Sequence, residues 1–225
     1  MKNKKFISIV ASIFVLFVIV TVITLNRKTT FLHYEKYMIN ITIDAITSEE
    51  KVESTLITTK YDGSSLSIDS TSVGKESYII GDDLYYIDGS NIYDFKTTKS
   101  YRDIYDLFAS LKKIETEKKE GSYTSYSTLL SSKDVNAFLE SMYFVKKTTS
   151  KVHVKLTSLN GYLDEIKLTI NDIEGYKEVT INIKFIALDS SFKIDTSKLY
   201  GTTSLTTINR YKIVETKENP YEVIK

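Results

Sequence analysis

The chain has no cysteine, which excludes disulfides, thiolate metal ligands, a cysteine nucleophile and attachment through a lipidated N-terminal cysteine. It has no tryptophan, one proline (Pro220) and eight glycines, and those glycines form neither a P-loop nor a dinucleotide-binding pattern. Only two histidines are present, His33 and His153. Their neighbours have no metal-ligand spacing, whereas a zinc site needs three or four converging ligands. No G-x-S-x-G elbow marks any of the many serines as a nucleophile. Asp82-Asp83 and Asp88-Gly89-Ser90-Asn91 are separated by Leu84-Tyr85-Tyr86-Ile87, so they read as two solvated turns rather than one calcium loop. Asn40-Ile41-Thr42 is a formal glycosylation sequon inside an alternating strand. These gaps point to a protein that is not an enzyme, with no catalytic residue, metal or cofactor.

Charge is unevenly placed. Residues 1–28 contain Lys2, Lys4, Lys5, Arg27 and Lys28 and no acid, which leaves 25 bases and 29 acids in the remainder, a net of about −4. That sign argues against nucleic acid as a partner, since a phosphate-tracking surface needs clustered positive charge.

Within the basic flanks, Phe6 to Leu25 is an uncharged run of twenty residues interrupted only by Ser8, Ser12, Thr21 and Thr24. As a helix it spans about 30 Å, the thickness of a bilayer's hydrocarbon core. A cleaved signal usually has an apolar core of about 7–15 residues followed by small residues. Here the run is longer and is followed by Leu25-Asn26-Arg27-Lys28, so the expectation is an uncleaved anchor. Three lysines and the terminal amine on one side face Arg27 and Lys28 on the other. The bias favours a cytoplasmic N-terminus and a C-terminal domain outside the cytoplasm, a single-pass arrangement at the cell membrane. The absence of disulfides in an exported domain favours a bacterial surface. Three segments follow: an anchor over 1–28, a β-rich domain over 29–190, and an irregular return and tail of that domain over 191–225.

Period-two patterning dominates after residue 31. Tyr37, Ile39, Ile41 and Ile43 share one face, a weaker strand is expected through Val52, Leu56 and neighbouring threonines up to the turn Tyr61-Asp62-Gly63-Ser64, and others around Leu66–Ile68, Lys75–Asp82, Leu84–Ile87, Ile92–Phe95 and Ser122–Leu130. Short polar turns between consecutive strands imply antiparallel pairing. Two segments change to the helical period. Tyr101, Ile104, Leu107, Phe108 and Leu111 form one stripe, with Ser100 and Asp103 placed to cap it. Val135, Phe138, Leu139 and Met142 form another behind Ser131-x-x-Asp134. Each helix is short and must lay its stripe on the apolar face of the sheet. Lys112–Glu120 reads as a charged connector.

The strands over 151–188 are the best defined, with Val152, Val154 and Leu156, then Ile166, Leu168 and Ile170, then Val179, Ile181, Ile183 and Phe185 each on one face. Asn160-Gly161 invites a two-residue type I′ turn. A continuous two-residue register would, however, place Lys155 and His153 on the apolar face. The expectation is therefore a three-residue loop, 159–161, pairing Val154 with Ile166 and Val152 with Leu168. Beyond Leu188 one strand is expected near Ile208–Val214.

Tyrosine, at 17 residues, is the excess. Tyr78, Tyr85, Tyr86 and Tyr93 cluster in one hairpin region, with Tyr101 and Tyr105 on the next helix. Such residues rim a core with their hydroxyls, or line a cleft for an apolar ligand. On the second reading the lining is Tyr85, Tyr93, Tyr101, Tyr105, Phe108, Phe138 and Met142.

The order of elements, from SYIIGDDLYYIDGSNIYDF through an inserted helix and SSKDVNAFL to VHVKLTSLNGYLDEIKLTI, resembles the LolA/LppX-type lipoprotein-carrier superfamily over roughly residues 35–188. The resemblance implies an α+β, mainly antiparallel fold: a curved open half-barrel meander with two short helices on its concave face, here preceded by one transmembrane helix. It also implies an apolar cavity for acyl chains. Relatives of that type are usually attached through a lipidated cysteine, which this chain lacks, and residues 6–25 would replace it. The expected function is a membrane-anchored extracytoplasmic binding module for lipid or another apolar ligand. The alternative is an interaction or sensory ectodomain whose core is filled by its own helices and whose partner is an envelope protein.

Overall fold

In the computed structural model the described residues are 31–70, 77–88, 91–96, 102–109, 111, 114–142, 146–200 and 212–215. The apolar run 6–25 lies outside them, and no helix among them is long and apolar enough to cross a membrane.

Alternation sets the strand faces as expected. In β1 (Tyr37–Thr47), Tyr37, Ile39, Ile41, Ile43 and Ala45 are buried and the residues between them are half-buried. Antiparallel partners share a face when directly opposed. Ile41 lies opposite Ile57 of β2 (Val52–Tyr61) on one side and Ile183 of β11 (Tyr176–Ala187) on the other. From β2 a meander continues through β3 (Ser65–Ser70), β4 (Ser77–Ile80), β5 (Asp83–Asp88) and β6 (Asn91–Lys96). A second meander runs through β7 (Glu115–Glu120), β8 (Tyr123–Leu130), β9 (Val152–Leu159), β10 (Tyr162–Ile170) and β11. The β1–β11 pair joins the two, giving the spatial order β12-β6-β5-β4-β3-β2-β1-β11-β10-β9-β8-β7.

This order explains where the helices sit. The chain must pass from β6, beside one edge, to β7, at the opposite edge. That crossing carries α1 (Arg102–Ala109). Between the neighbouring strands β8 and β9 lies α2 (Ser132–Ser141), whose N-cap Ser131 accepts a hydrogen bond from the Asp134 N–H. The expected α2 stripe is buried, Val135, Phe138 and Leu139 with the capping Met142; of the expected α1 stripe Ile104 and Phe108 are buried and Leu107 and Leu111 half-buried against the same core, with Tyr105 buried beside them. Ser100, expected to cap α1, lies outside the described residues.

Three expectations need correction. Residues Glu115–Glu120 are not a connector but the edge strand β7, paired with β8. All six are exposed, so hydrophobic alternation could not reveal a strand that buries neither face. The β9–β10 loop has two residues, because Leu159 pairs with Tyr162. Asn160 and Gly161 both have positive φ, 54° and 84°, as a type I′ turn requires. The conflict with the apolar face is removed by a β-bulge: the register shifts between Leu163 and Glu165, and Ile166 then opposes Leu156 and Leu168 opposes Val154. The core pattern prevails, though through an extra residue in β10 rather than a longer turn. The strand expected near 208–214 is present as β12 (Lys212–Glu215); it pairs with β6 in parallel, unlike the other pairs of named strands among the described residues. A short helix, α3 (Ser197–Tyr200), interrupts the return that was expected to be irregular.

Two apolar clusters lie on opposite faces. The main one takes the inner face from β5 to β8 together with both helices. The smaller joins Tyr78 and Ile92 to Leu199, with Ile80, Tyr85, Ile87 and Ile194 around them. The return after β11 thus covers the other face at the β4–β6 end.

Candidate functional site

The helix–sheet interface gathers most of the residues expected to line a ligand site. Phe108 of α1 and Phe138 of α2 meet edge to face with ring centroids 5.2 Å apart. Tyr105 makes a similar contact with Phe185 of β11 at 5.6 Å. Such pairs add about 0.5–1.5 kcal/mol beyond their buried area. Tyr105, Phe108, Phe138 and Met142 are no more than 1% exposed. Tyr93 of β6 is half-buried against the same cluster. Tyr85 is not: it packs in the smaller cluster, on the other face. Tyr101 lies outside the described residues.

Sequence reasoning missed the leading segment 31–36, which closes one end of the interface. Phe31 is buried and meets Tyr126 edge to face at 5.5 Å. The Tyr105 hydroxyl donates to the Leu32 carbonyl, and the His33 ring lies 4.1 Å from the Tyr105 ring. Leu32 N–H donates to the Gly161 carbonyl at 2.9 Å, and Tyr34 stacks on Tyr162 at 4.6 Å. Burial raises the Tyr34 pKa, with Asp164 and Tyr162 adding to the effect. Lys36 donates to the Phe192 carbonyl at 2.7 Å and to that of Ser190, fastening the return to this end. The signal in the sequence was the aromatic density of Phe31-Leu32-His33-Tyr34.

Two hydroxyls were also missed. Thr59 of β2 and Ser77 of β4 are 1% and 0% exposed, and neither hydroxyl has a hydrogen-bond partner among the described residues. Thr59 lies opposite Ile39 and Ile68, and Ser77 lies opposite Ile68, so both are on the apolar inner face, one strand apart. An unsatisfied buried hydroxyl costs about 1–3 kcal/mol. The apolar face therefore carries two unfilled polar positions.

The outer face offers different chemistry. A groove of about 800 Å³ there is lined by Lys151, His153, Lys155 and Lys167 with hydroxyl and amide groups. His153 lies in this groove and His33 against Tyr105, on different elements. No group of three or more His, Cys, Asp or Glu side chains among the described residues could hold a metal.

No protein-family model matches the chain, and no curated protein does. Among solved structures it is similar to LprF from Mycobacterium bovis, at 8% identity and a TM-score of 0.40, over 72% of this chain and 89% of that one. It is similar to the LolA superfamily protein NE2245 from Nitrosomonas europaea, at 9% identity and a TM-score of 0.32, over 74% and 93%. PNGF-II, at 10% identity and a TM-score of 0.32, overlaps 81% of this chain, which spans about a third (32%) of that protein. Overlap this loose says nothing about ligand or activity, which are argued from the chain's own geometry.

Proposed function

We propose that this protein is a membrane-tethered, extracytoplasmic binding module for an apolar ligand carrying a polar group, held between the inner face of the sheet and helices α1 and α2. The observation that carries this reading is the pair of buried, unpartnered hydroxyls, Thr59 and Ser77, set in an otherwise apolar surface. Ligand sites are mostly apolar with a few placed polar groups. A ligand's carboxyl, ester or hydroxyl would satisfy these two; among the described residues Thr157 and Asn182 also carry a buried polar atom without a partner, but they alternate with the inward Leu156 and Ile181 and so lie on the other face.

Curvature supports the same reading. Nine strands, β5 to β8 in spatial order, would span about 38 Å if flat, at about 4.8 Å per strand. Two helices about 10 Å across cover roughly half of that. Yet Leu84 near one edge and Leu130 near the other are 0% and 2% exposed. A sheet curled around its helices, an open half-barrel with the helices on the concave side, accounts for burial at both limits. The reading requires helices of 8 and 10 residues to lift as a lid and uncover a trough along the inner face for an acyl chain.

The tether is residues 6–25, with the N-terminus in the cytoplasm. Protease added to intact cells should remove residues 30–225. Protection of that region would reverse the orientation. For the ligand, native mass spectrometry and solvent extraction of the purified full chain should reveal bound lipid, and a fluorescent fatty acid should bind and be displaced. Thr59→Val and Ser77→Ala should weaken that binding about tenfold, the worth of one hydrogen bond. Absence of both lipid and probe binding would discard the reading.

A second reading rests on a specific observation, the complete burial of Phe108, Phe138 and Met142. Here the helices fill the trough permanently and the domain is an envelope interaction or sensory module with a protein partner. Crosslinking in intact cells that captures one defined protein, with no lipid in the purified chain, would favour it.

A further inference from the structure

Among the described residues six large apolar side chains are exposed: Leu32, Val52, Leu56, Tyr123, Leu129 and Leu159. Three of them meet at one end of the sheet. Tyr123 and Leu159 are directly opposed across β8 and β9 and so share a face. Leu32 lies beside them, its Cδ1 3.3 Å from where a Cβ on Gly161 would stand. The two turns carrying them are joined, since Asn160 N–H donates to the Ser122 carbonyl at 2.8 Å. Tyr162, the partner of Leu159 across the hairpin, and Tyr34, stacked on it, extend the patch with rings of the amphipathic kind.

This is also the end at which the chain leaves its apolar run. Phe31 is fixed in the core, and Leu25 ends the uncharged run. The six steps between them reach at most about 20 Å. A headgroup layer occupies about 5–8 Å of that distance. If residues 6–25 span a bilayer, Leu32, Tyr123 and Leu159 cannot stand far from its surface. Tyrosine and leucine are side chains that this interface accepts, tyrosine most of all with its ring in the headgroup region. The linker contributes Arg27 and Lys28, cations suited to phosphate headgroups.

We infer that this end of the domain, through Leu32, Tyr123 and Leu159, rests on the lipid surface of the membrane to which the chain is tethered. The inference builds on the proposed tether and extends it. The domain does not swing freely on a leash but is seated, with its leading end and the mouth closed by residues 31–36 turned to the lipid. An apolar ligand could then pass between bilayer and trough without crossing water.

The chain has no cysteine, so single-cysteine variants label cleanly. Leu159→Cys and Tyr123→Cys, both at exposed positions, would carry an environment-sensitive fluorophore on the full chain, reconstituted in vesicles of phosphatidylcholine and phosphatidylglycerol. Val52→Cys is the control. Val52 pairs with Ile46, near the far end of β1 from Tyr37, about 30 Å away along the strand. Lipid carrying a headgroup-level quencher should quench positions 159 and 123 at least threefold more than position 52. Equal quenching at all three positions, with the protein still floating with the vesicles, overturns the seat and leaves the tether standing. Protein that fails to float overturns the tether, and the seat falls with it.

Discussion

The β1–β11 pair and the β7–β8 pair are both antiparallel ladders in one sheet, and they are held by different physics. In the first, Ile39–Phe185, Ile41–Ile183, Ile43–Ile181 and Ala45–Val179 face each other in unbroken register, all at 0–2% exposure. In the second, β7 exposes all six residues and the register shifts between Thr116 and Lys118. Where one face is buried, a slip of one residue would expose the whole apolar set, so packing dictates register. At the edge only backbone bonds and the turn remain. The charged side chains of β7 serve there to keep the open edge from pairing with another chain.

The sharpest way to break the comparison is to truncate one β-branched side chain in each ladder to alanine. Ile183→Ala should destabilise the protein by about 2–5 kcal/mol, the cost of a buried cavity with partial collapse. Thr116→Ala in β7 should stay within about 0.5 kcal/mol. Denaturant unfolding of both variants reads the difference directly. Comparable losses would mean that the edge is packed in a way its exposure does not suggest.

The same contrast explains what could be read from residues alone. Strands that alternate, such as β1 and β9 to β11, were legible because one face must leave water. So were the helical stripes through Phe108 and Phe138. Strand β7 was illegible because Glu115–Glu120 has no apolar face; the strand that became β12 was legible, but its parallel pairing with β6 was not, because that partner is distant in the chain. The bulge after Leu163 was half legible. The conflict between Asn160-Gly161 and the positions of Lys155 and His153 was visible, but whether a longer turn or an extra strand residue resolves it depends on three-dimensional strain. At the candidate site, apolar residues were found by periodicity, and Tyr85 was assigned by proximity in sequence to a group it does not join. Thr59 and Ser77 could not be singled out, since a buried orphan hydroxyl is a property of the pairing Ile39–Thr59–Ile68–Ser77 and not of either residue's neighbours.

The β9–β10 turn sharpens the comparison at an intermediate size. Gly161 has φ of 84°, and an added Cβ would press on the Leu32 side chain at 3.3 Å. Gly161→Ala should cost about 1–2 kcal/mol through the disfavoured backbone region. It should also loosen the leading segment, read as faster amide exchange at Leu32, which donates to Gly161. An unchanged exchange rate would detach the turn from that segment.

A smaller effect is expected at the β2–β3 turn, which ties the meander to the return after β11. Asp62 accepts from Ser64 and Ser65 N–H at 3.0 and 2.8 Å and from Ile194 N–H at 3.0 Å. Burial pushes its pKa up, but these bonds and the Ser64 hydroxyl outweigh that and bring it down to about 2. The folded state therefore prefers the carboxylate more than the unfolded chain does. The resulting stability is fully present above pH about 4 and is lost as pH falls toward 2. Allowing for solvent screening, it is about 1 kcal/mol. Asp62→Ala should lose it at neutral pH and flatten the stability profile between pH 4 and 2. A profile as steep as in the parent would place the acid sensitivity elsewhere.

The smallest expected change tests the edge most directly. Lys118 and Glu120 form an ion pair at 2.7 Å with both side chains about two-thirds exposed, and exposed pairs contribute roughly 0–1 kcal/mol. Lys118→Ala should alter unfolding by no more than about 0.5 kcal/mol. Replacing Lys118 and Glu120 together with valine should leave stability equally unmoved, because β7 gains no core contact. It should instead favour concentration-dependent association, since an uncharged β-branched edge is a template for pairing. Sedimentation at rising concentration separates the outcomes. A variant that stayed monomeric would show that the charges on β7 do not guard the edge, and a variant that gained stability would show that β7 has a covered face after all.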